Sequence, residues 1–135
     1  MTDRDLVFKK LAAVETHVRE LRAHANLERL RTDVREERFV TRTLHLAIEA
    51  ALDVASHVVS DERLGEPRSN RDLFDLLERA GWLAPELATA LKEMAGFRNV
   101  LVHGYDSLNL GIVEQVVRTR LDDLLAFTEV VRARS

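Results

Sequence analysis

The sequence predicts an all-α fold, an up-and-down bundle of four long helices plus one short helix. Apolar residues recur in steps of three and four along most of the chain, the spacing that gathers them on one side of a helix. Glycine and proline number only 5 and 2, so few turns are available to punctuate strands. The composition is 46% hydrophobic and 32% charged with 5% aromatic residues, a balance suited to helices and poor for a β-sandwich. The 135 residues have the size of one domain and suffice to bury a core. Neither a repeat nor a low-complexity tract divides them, so a single domain over residues 1–135 is expected.

The first helix carries Val7, Leu11, Val14, Val18, Leu21 and Ala25 in one stripe. The second carries Val40, Leu44, Ala47, Ala51, Val54, Ala55 and Val58, while Phe39, Ile48, Leu52 and Val59 fall off that stripe. A helix so apolar around its circumference belongs either at the centre of the bundle or half buried in a partner. Residues 61–68 read as a connector, with Gly65 as the stop and Pro67 as a breaker. Ser69 with Asp72 three residues on resembles a capping box, and Leu73, Leu76, Leu77 and Ala80 then make a short helix ending at Gly81. Pro85 suits the first position of the fourth helix. That helix runs through Leu87, Leu91, Met94 and Ala95, and Arg98 with Leu101 or Val102 continues its stripe. The last helix is expected from about Asn109 to Arg132, through Val113, Val117, Leu121, Leu124 and Val131.

Several function classes are disfavoured. The absence of cysteine removes disulfides and thiolate metal sites. Met1-Thr2-Asp3-Arg4-Asp5 lacks the basic-then-apolar pattern of a signal peptide, and no stretch approaches the ~20 apolar residues of a membrane span. A cytoplasmic protein without membrane contact is expected. The net charge of -3 argues against holding nucleic acid by overall field, so contact with RNA requires a local patch. Arg19, Arg22, Arg29, Arg31, Arg35, Arg38 and Arg42 offer one, interleaved with Glu20, Glu28, Asp33, Glu36 and Glu37. That run reads first as a solvated face laced with ion pairs.

The chemistry concentrates in Arg98-Asn99-Val100-Leu101-Val102-His103-Gly104-Tyr105. Arginine presents a planar, permanently charged fork that matches phosphate oxygens. Histidine both accepts and donates a proton near neutrality. Arg98 falls on the inward stripe, where a cation must be paired or line a cleft. Asn99 and His103 are four apart and share a face, and Gly104 is the natural residue to end the helix after His103. The same residues also fit a structural role, because arginine and histidine near a helix C-terminus answer its dipole.

Arg98, Asn99, three residues and then His103 resemble the R-x(4–6)-H signature of the HEPN superfamily of helical ribonucleases, and the extension to Gly104-Tyr105 resembles the R-x4-H-x-Y form of HepT-type toxins. The second helix, from Leu46 to His57, resembles the central helix of that family, and the likeness spans nearly the whole chain. The resemblance implies an all-α homodimer whose two motifs meet in one cleft, RNA cleavage without a metal or other cofactor, and tRNA as the expected target. It further implies the toxin half of a toxin–antitoxin pair, with a minimal nucleotidyltransferase antitoxin that attaches AMP to Tyr105.

Elementary chemistry fits that implication. RNA is cut without metal when a base takes the 2′-OH proton, an acid protonates the leaving 5′ oxygen, and the charge on the phosphate is stabilised. One histidine cannot be base and acid at once, but a two-fold dimer supplies two copies of His103. The expected roles are Arg98 for the phosphate, His103 for proton transfer and Asn99 for orientation. The 2′-OH requirement selects RNA over DNA. An AMP ester on Tyr105 sets a bulky anion beside the site and blocks it; the ordinary alternative is a packed turn tyrosine.

Glu49, Asp53 and His57 step by four along the second helix. A metal site there lacks the Glu-x-x-His pairs of helical di-metal bundles, so a solvated or dimer-facing row is expected. Glu49 or Asp53 is a candidate to steer Arg98 across the bundle. His17, His24 and His45 read as surface or capping residues, and Trp82 and the phenylalanines as packing between helices. The rival function is a non-catalytic helical partner of a nucleotidyltransferase that keeps the motif as an anion-binding corner.

Overall fold

Helix α1 (Arg4–His24) turns the expected stripe of Val7, Leu11, Val14, Val18 and Leu21 into the core. A single 3-10 turn at Leu27–Arg29 leads to α2 (Val34–Asp61), whose N-terminus is capped by Asp33 accepting from the Arg35 N–H at 2.9 Å. The computed structural model describes residues 4–103 and 109–135, with the backbone alone at 102 and 103. Its other helices are α3 (Asn70–Arg79), α4 (Pro85–His103), α5 (Leu110–Thr119) and α6 (Leu121–Ala133), and no strand occurs among the described residues.

Of the two places open to α2, the chain itself supplies the first. Helix α2 packs against α1, α3, α4 and α6, and buries Val40, Leu44, Ala47, Ile48, Leu52 and Val59 among others. It stops earlier than Gly65. Arg63 takes the left-handed backbone (φ 53) that closes the helix, with its N–H donating to the Ser60 carbonyl and Leu64 N–H reaching Val59 at 3.0 Å. Ser69 caps α3 as its spacing predicts, accepting from Asp72 N–H at 3.2 Å. The Asp72 carboxylate returns to Arg68 N–H at 2.9 Å, one residue outside the standard box. Gly81 ends α3 with φ 82, and Pro85 opens α4.

The expected last helix is two helices. It breaks at Arg120 (φ -115, ψ -5), whose guanidinium donates to Glu93 of α4 at 2.9 Å and lies 3.8 Å from Asp123. The buried stripe nevertheless runs through the break, from Val113, Val116 and Val117 to Leu121, Leu124 and Phe127. Phe127 meets Phe74 edge to face at 5.6 Å, joining α6 to α3. Trp82 packs against the core with Arg134 over its ring at 4.5 Å. Among the described residues no helix is long and apolar enough to cross a membrane.

Candidate functional site

Arg98 continues the inward face of α4, whose neighbours Leu91, Met94, Ala95 and Leu101 are all buried. Its side chain is only 25% exposed. A guanidinium so placed needs a partner, and Nε donates to Oε1 of Glu49 on α2, itself half-buried. Nη1 donates to the Asn99 side-chain oxygen at 3.3 Å. Arginine has five N–H donors, so after these two the fork keeps three for another group.

The polar line extends along α2 from Glu49. His45, one turn earlier, is half-buried, with Nε2 cut off from solvent and 3.3 Å from Oε1 of Glu49. That approach is too poorly aligned for a hydrogen bond. Its Nδ1 accepts from Nη1 of Arg42 at 3.3 Å. Arg38, Thr41, Arg42, His45 and Leu101 together line a depression of about 240 Å³. Glu49 meets Arg98 while His45 adjoins Leu101, so α2 and α4 run antiparallel here, and the end of α4 points toward the Arg42 and Arg38 end of α2. Three guanidinium groups against one carboxylate make the region positive in a chain of net charge -3.

The motif backbone through His103 is helical and closes α4. The His103 side chain, Gly104 and Tyr105 lie outside the described residues. Of the two carboxylates considered as supports for Arg98, only Glu49 is at the guanidinium; Asp53 pairs instead with Lys10 of α1 at 3.1 Å. His57 completes the row half-buried on the same helix. Among the described residues no three histidine or acidic side chains are grouped to hold a metal ion. His17 pairs with Glu20 at 2.9 Å, and His24 is exposed, as surface residues do. His45 does not fit that reading. The available signal was its position four residues before Glu49, which extends the row of Glu49, Asp53 and His57 back by one turn.

The arginine run divides in the same way. Arg22 pairs with Asp122 at 2.6 Å and Arg31 with Glu114 at 2.9 Å, which is the expected ion-paired face. Arg38 and Arg42 have no carboxylate partner among the described residues.

Comparison with known proteins places the chain among relatives. The family described as "Ribonuclease HepT-like" matches residues 14–131. A curated protein of Shewanella oneidensis named mRNA nuclease HepT is 32% identical over 130 residues, which is 96% of this chain and 98% of that one. A tRNA nuclease HepT of Aphanizomenon flos-aquae is 36% identical over 75 residues, 55% of this chain and 51% of that one. The solved structure of a tri-AMPylated Shewanella oneidensis HEPN toxin in complex with MNT antitoxin superposes with a TM-score of 0.88 at 32% identity, over 98% of this chain and 99% of that one.

Proposed function

The chain belongs to the HepT-like ribonuclease family, and from that premise we propose that it is the toxin of a toxin–antitoxin pair, an endoribonuclease that cuts RNA without a metal ion. The observation that carries this reading is the placement of Arg98. It is drawn inward, held at Nε by Glu49, and left with donors for a phosphate at the end of the helix that carries His103.

The working unit is a homodimer. Beside the motif, Val100 and Ile112 are each 44% exposed, and a groove between α4 and α5 has an apolar floor of Met94, Phe97, Ile112 and Val116 with Glu93, Gln115 and Arg120 also lining it. A second copy covering that apolar surface brings both motifs into one cleft. There, one His103 takes the 2′-OH proton and the other protonates the 5′ oxygen, while Arg98 from both chains stabilises the charge on the phosphate. Asn99, whose side-chain oxygen already accepts from Arg98, orients the guanidinium. A nucleotidyltransferase antitoxin neutralises the toxin by attaching AMP to Tyr105, placing an anion of substrate-like chemistry over the cleft. The relatives are named for mRNA and for tRNA, so the substrate class is RNA and both kinds belong in the assay.

The test is cleavage of purified tRNA and mRNA by wild type and by His103→Ala. Loss of at least a hundredfold in rate is expected. Equal rates overturn the assignment. Expression of the chain should also arrest growth, and Arg98→Ala should relieve it; arrest that survives Arg98→Ala points to the non-catalytic partner instead. Mass spectrometry after co-expression with the antitoxin should find an adenylylated Tyr105, and an unmodified Tyr105 in neutralised cells counts against that step.

A further inference from the structure

We propose that Arg38 and Arg42 form a second phosphate subsite, which grips a backbone phosphodiester of single-stranded RNA next to the linkage being cut. The inference rests on the ribonuclease reading and extends it to how the strand is held. Residues 38, 42 and 45 follow one stripe of α2, and the depression they line is walled on the other side by Leu101 of α4. No carboxylate lines it. The depression that contains Arg19 and Arg22 is by contrast also lined by Glu15 and Glu129, and Arg22 is already paired.

The geometry points Arg42 outward for a ligand. Its Nη1 donates to the Nδ1 of half-buried His45, a contact that orients the guanidinium and leaves its other donors unused. The Thr41 hydroxyl donates to the Glu37 carbonyl at 2.8 Å, so the two arginines and not the threonine supply the donors. Along α2, Arg42 stands seven residues from Glu49, about 10 Å, and Glu49 fixes Arg98. Long arginine side chains anchored at that separation can both reach phosphates within one short stretch of a strand. The line from Arg42 through His45 and Glu49 to Arg98 therefore reads as one track, with the scissile phosphate at Arg98 and its neighbour at Arg42. Such contacts position the strand and carry no sequence information.

Binding of a short fluorescein-labelled single-stranded RNA to the His103→Ala chain, titrated at several salt concentrations, tests the subsite without cleavage. Each phosphate contact on a single strand contributes about 0.7 to the slope of log affinity against log salt, so losing this one subsite through Arg38→Gln/Arg42→Gln should reduce that slope by about 0.7. Arg68→Gln/Arg79→Gln, which removes the same charge from exposed positions before and on α3, should leave it unchanged. In the otherwise wild-type chain the Arg38→Gln/Arg42→Gln pair should raise KM for RNA and keep kcat within about twofold. An unchanged slope, an equal drop in both double variants, or a fall in kcat at constant KM overturns the subsite. If wild type cuts no RNA while the slope still falls, the ribonuclease reading fails and the subsite stands. If wild type cuts and the slope holds, the subsite alone fails.

Discussion

Nε of Arg98 donates to Oε1 of Glu49, and this contact ties the helix that carries the motif to the helix at the centre of the bundle. The carboxylate offsets the cost of drawing the guanidinium inward and fixes which of its donors remain for the proposed phosphate. Glu49→Ala should leave Arg98 free to swing out, and a displacement of about 1 Å at a phosphate-binding group costs on the order of a hundredfold in rate. Glu49→Gln keeps an acceptor oxygen for Nε and should lose much less. Both side chains remain partly exposed, so the pair adds only about 1 kcal/mol at most to stability. Cleavage rates and melting curves of the two variants check this; a Glu49→Ala enzyme as fast as wild type would falsify the supporting role.

The helices were readable because apolar spacing is a local property: the stripe of α1 buries as spaced from Val7 to Leu21 and that of α4 from Leu91 to Ala95, while Ala25 and Leu87 at their ends are half-buried. The break at Arg120 was not readable, since the apolar steps pass through it unaltered and no glycine or proline marks it. Helix α2 ends at Asp61, where the connector is expected to begin, but the left-handed residue that closes it is Arg63 and not Gly65, because backbone bonds to Ser60 and Val59 settle it. At the site, a row of four-residue steps drifts by about 40° per step around a helix. Glu49 thus faces α4 while Asp53 has turned to α1, which a reading of spacing alone leaves undecided. His45 reads as a surface or capping residue because no ligand spacing marks it; in the fold its Nδ1 accepts from Arg42 and its Nε2 lies buried 3.3 Å from Glu49 without a hydrogen bond.

The seam between α3 and α4 should be sensitive to acid. Lys92 lies 3.0 Å from Asp75 and 2.9 Å from Glu78. Hydrogen bonds to Glu78 and then Asp75 raise the Lys92 ammonium above its ordinary pKa, and the bond from Lys92 is the main cause that holds Asp75 below the usual carboxylate value. A carboxyl lowered in the folded state adds stability that is complete above its unfolded pKa, about 4, and is lost as pH falls through the folded value. A raised ammonium adds stability that is complete below its unfolded pKa, about 10.4, and is lost as pH rises through the folded value. Both contributions are therefore present at pH 7. Lys92→Met should lower the melting temperature at pH 7 and lower it less at pH 3. The same deficit at both pH values contradicts the linkage.

Arg63 offers a stabilising change. A residue with a Cβ in the left-handed region costs roughly 1–2 kcal/mol, which glycine avoids at some cost in unfolded-state entropy. Arg63→Gly should therefore gain about 0.5–1 kcal/mol, and Arg63→Val, branched at Cβ, should lose stability. Chemical denaturation of the three chains measures it. A destabilised Arg63→Gly means that the arginine side chain itself holds the α2 terminus.

The proposed shared cleft makes a prediction about mixed dimers that independent sites do not. If each subunit cut RNA with its own His103, a dimer of one wild-type and one His103→Ala subunit would keep half the activity. If one imidazole removes the 2′-OH proton while the other protonates the 5′ oxygen, that dimer retains a base without its acid, or an acid without its base. The loss should then approach that of the doubly substituted dimer, because a missing general acid or base costs on the order of 10² to 10⁴ in rate. Differently tagged subunits, co-expressed and purified in sequence through both tags, give the mixed species. Its rate on RNA, set beside the two pure dimers, separates half activity from near-complete loss, and half activity rules out the two-histidine division of labour.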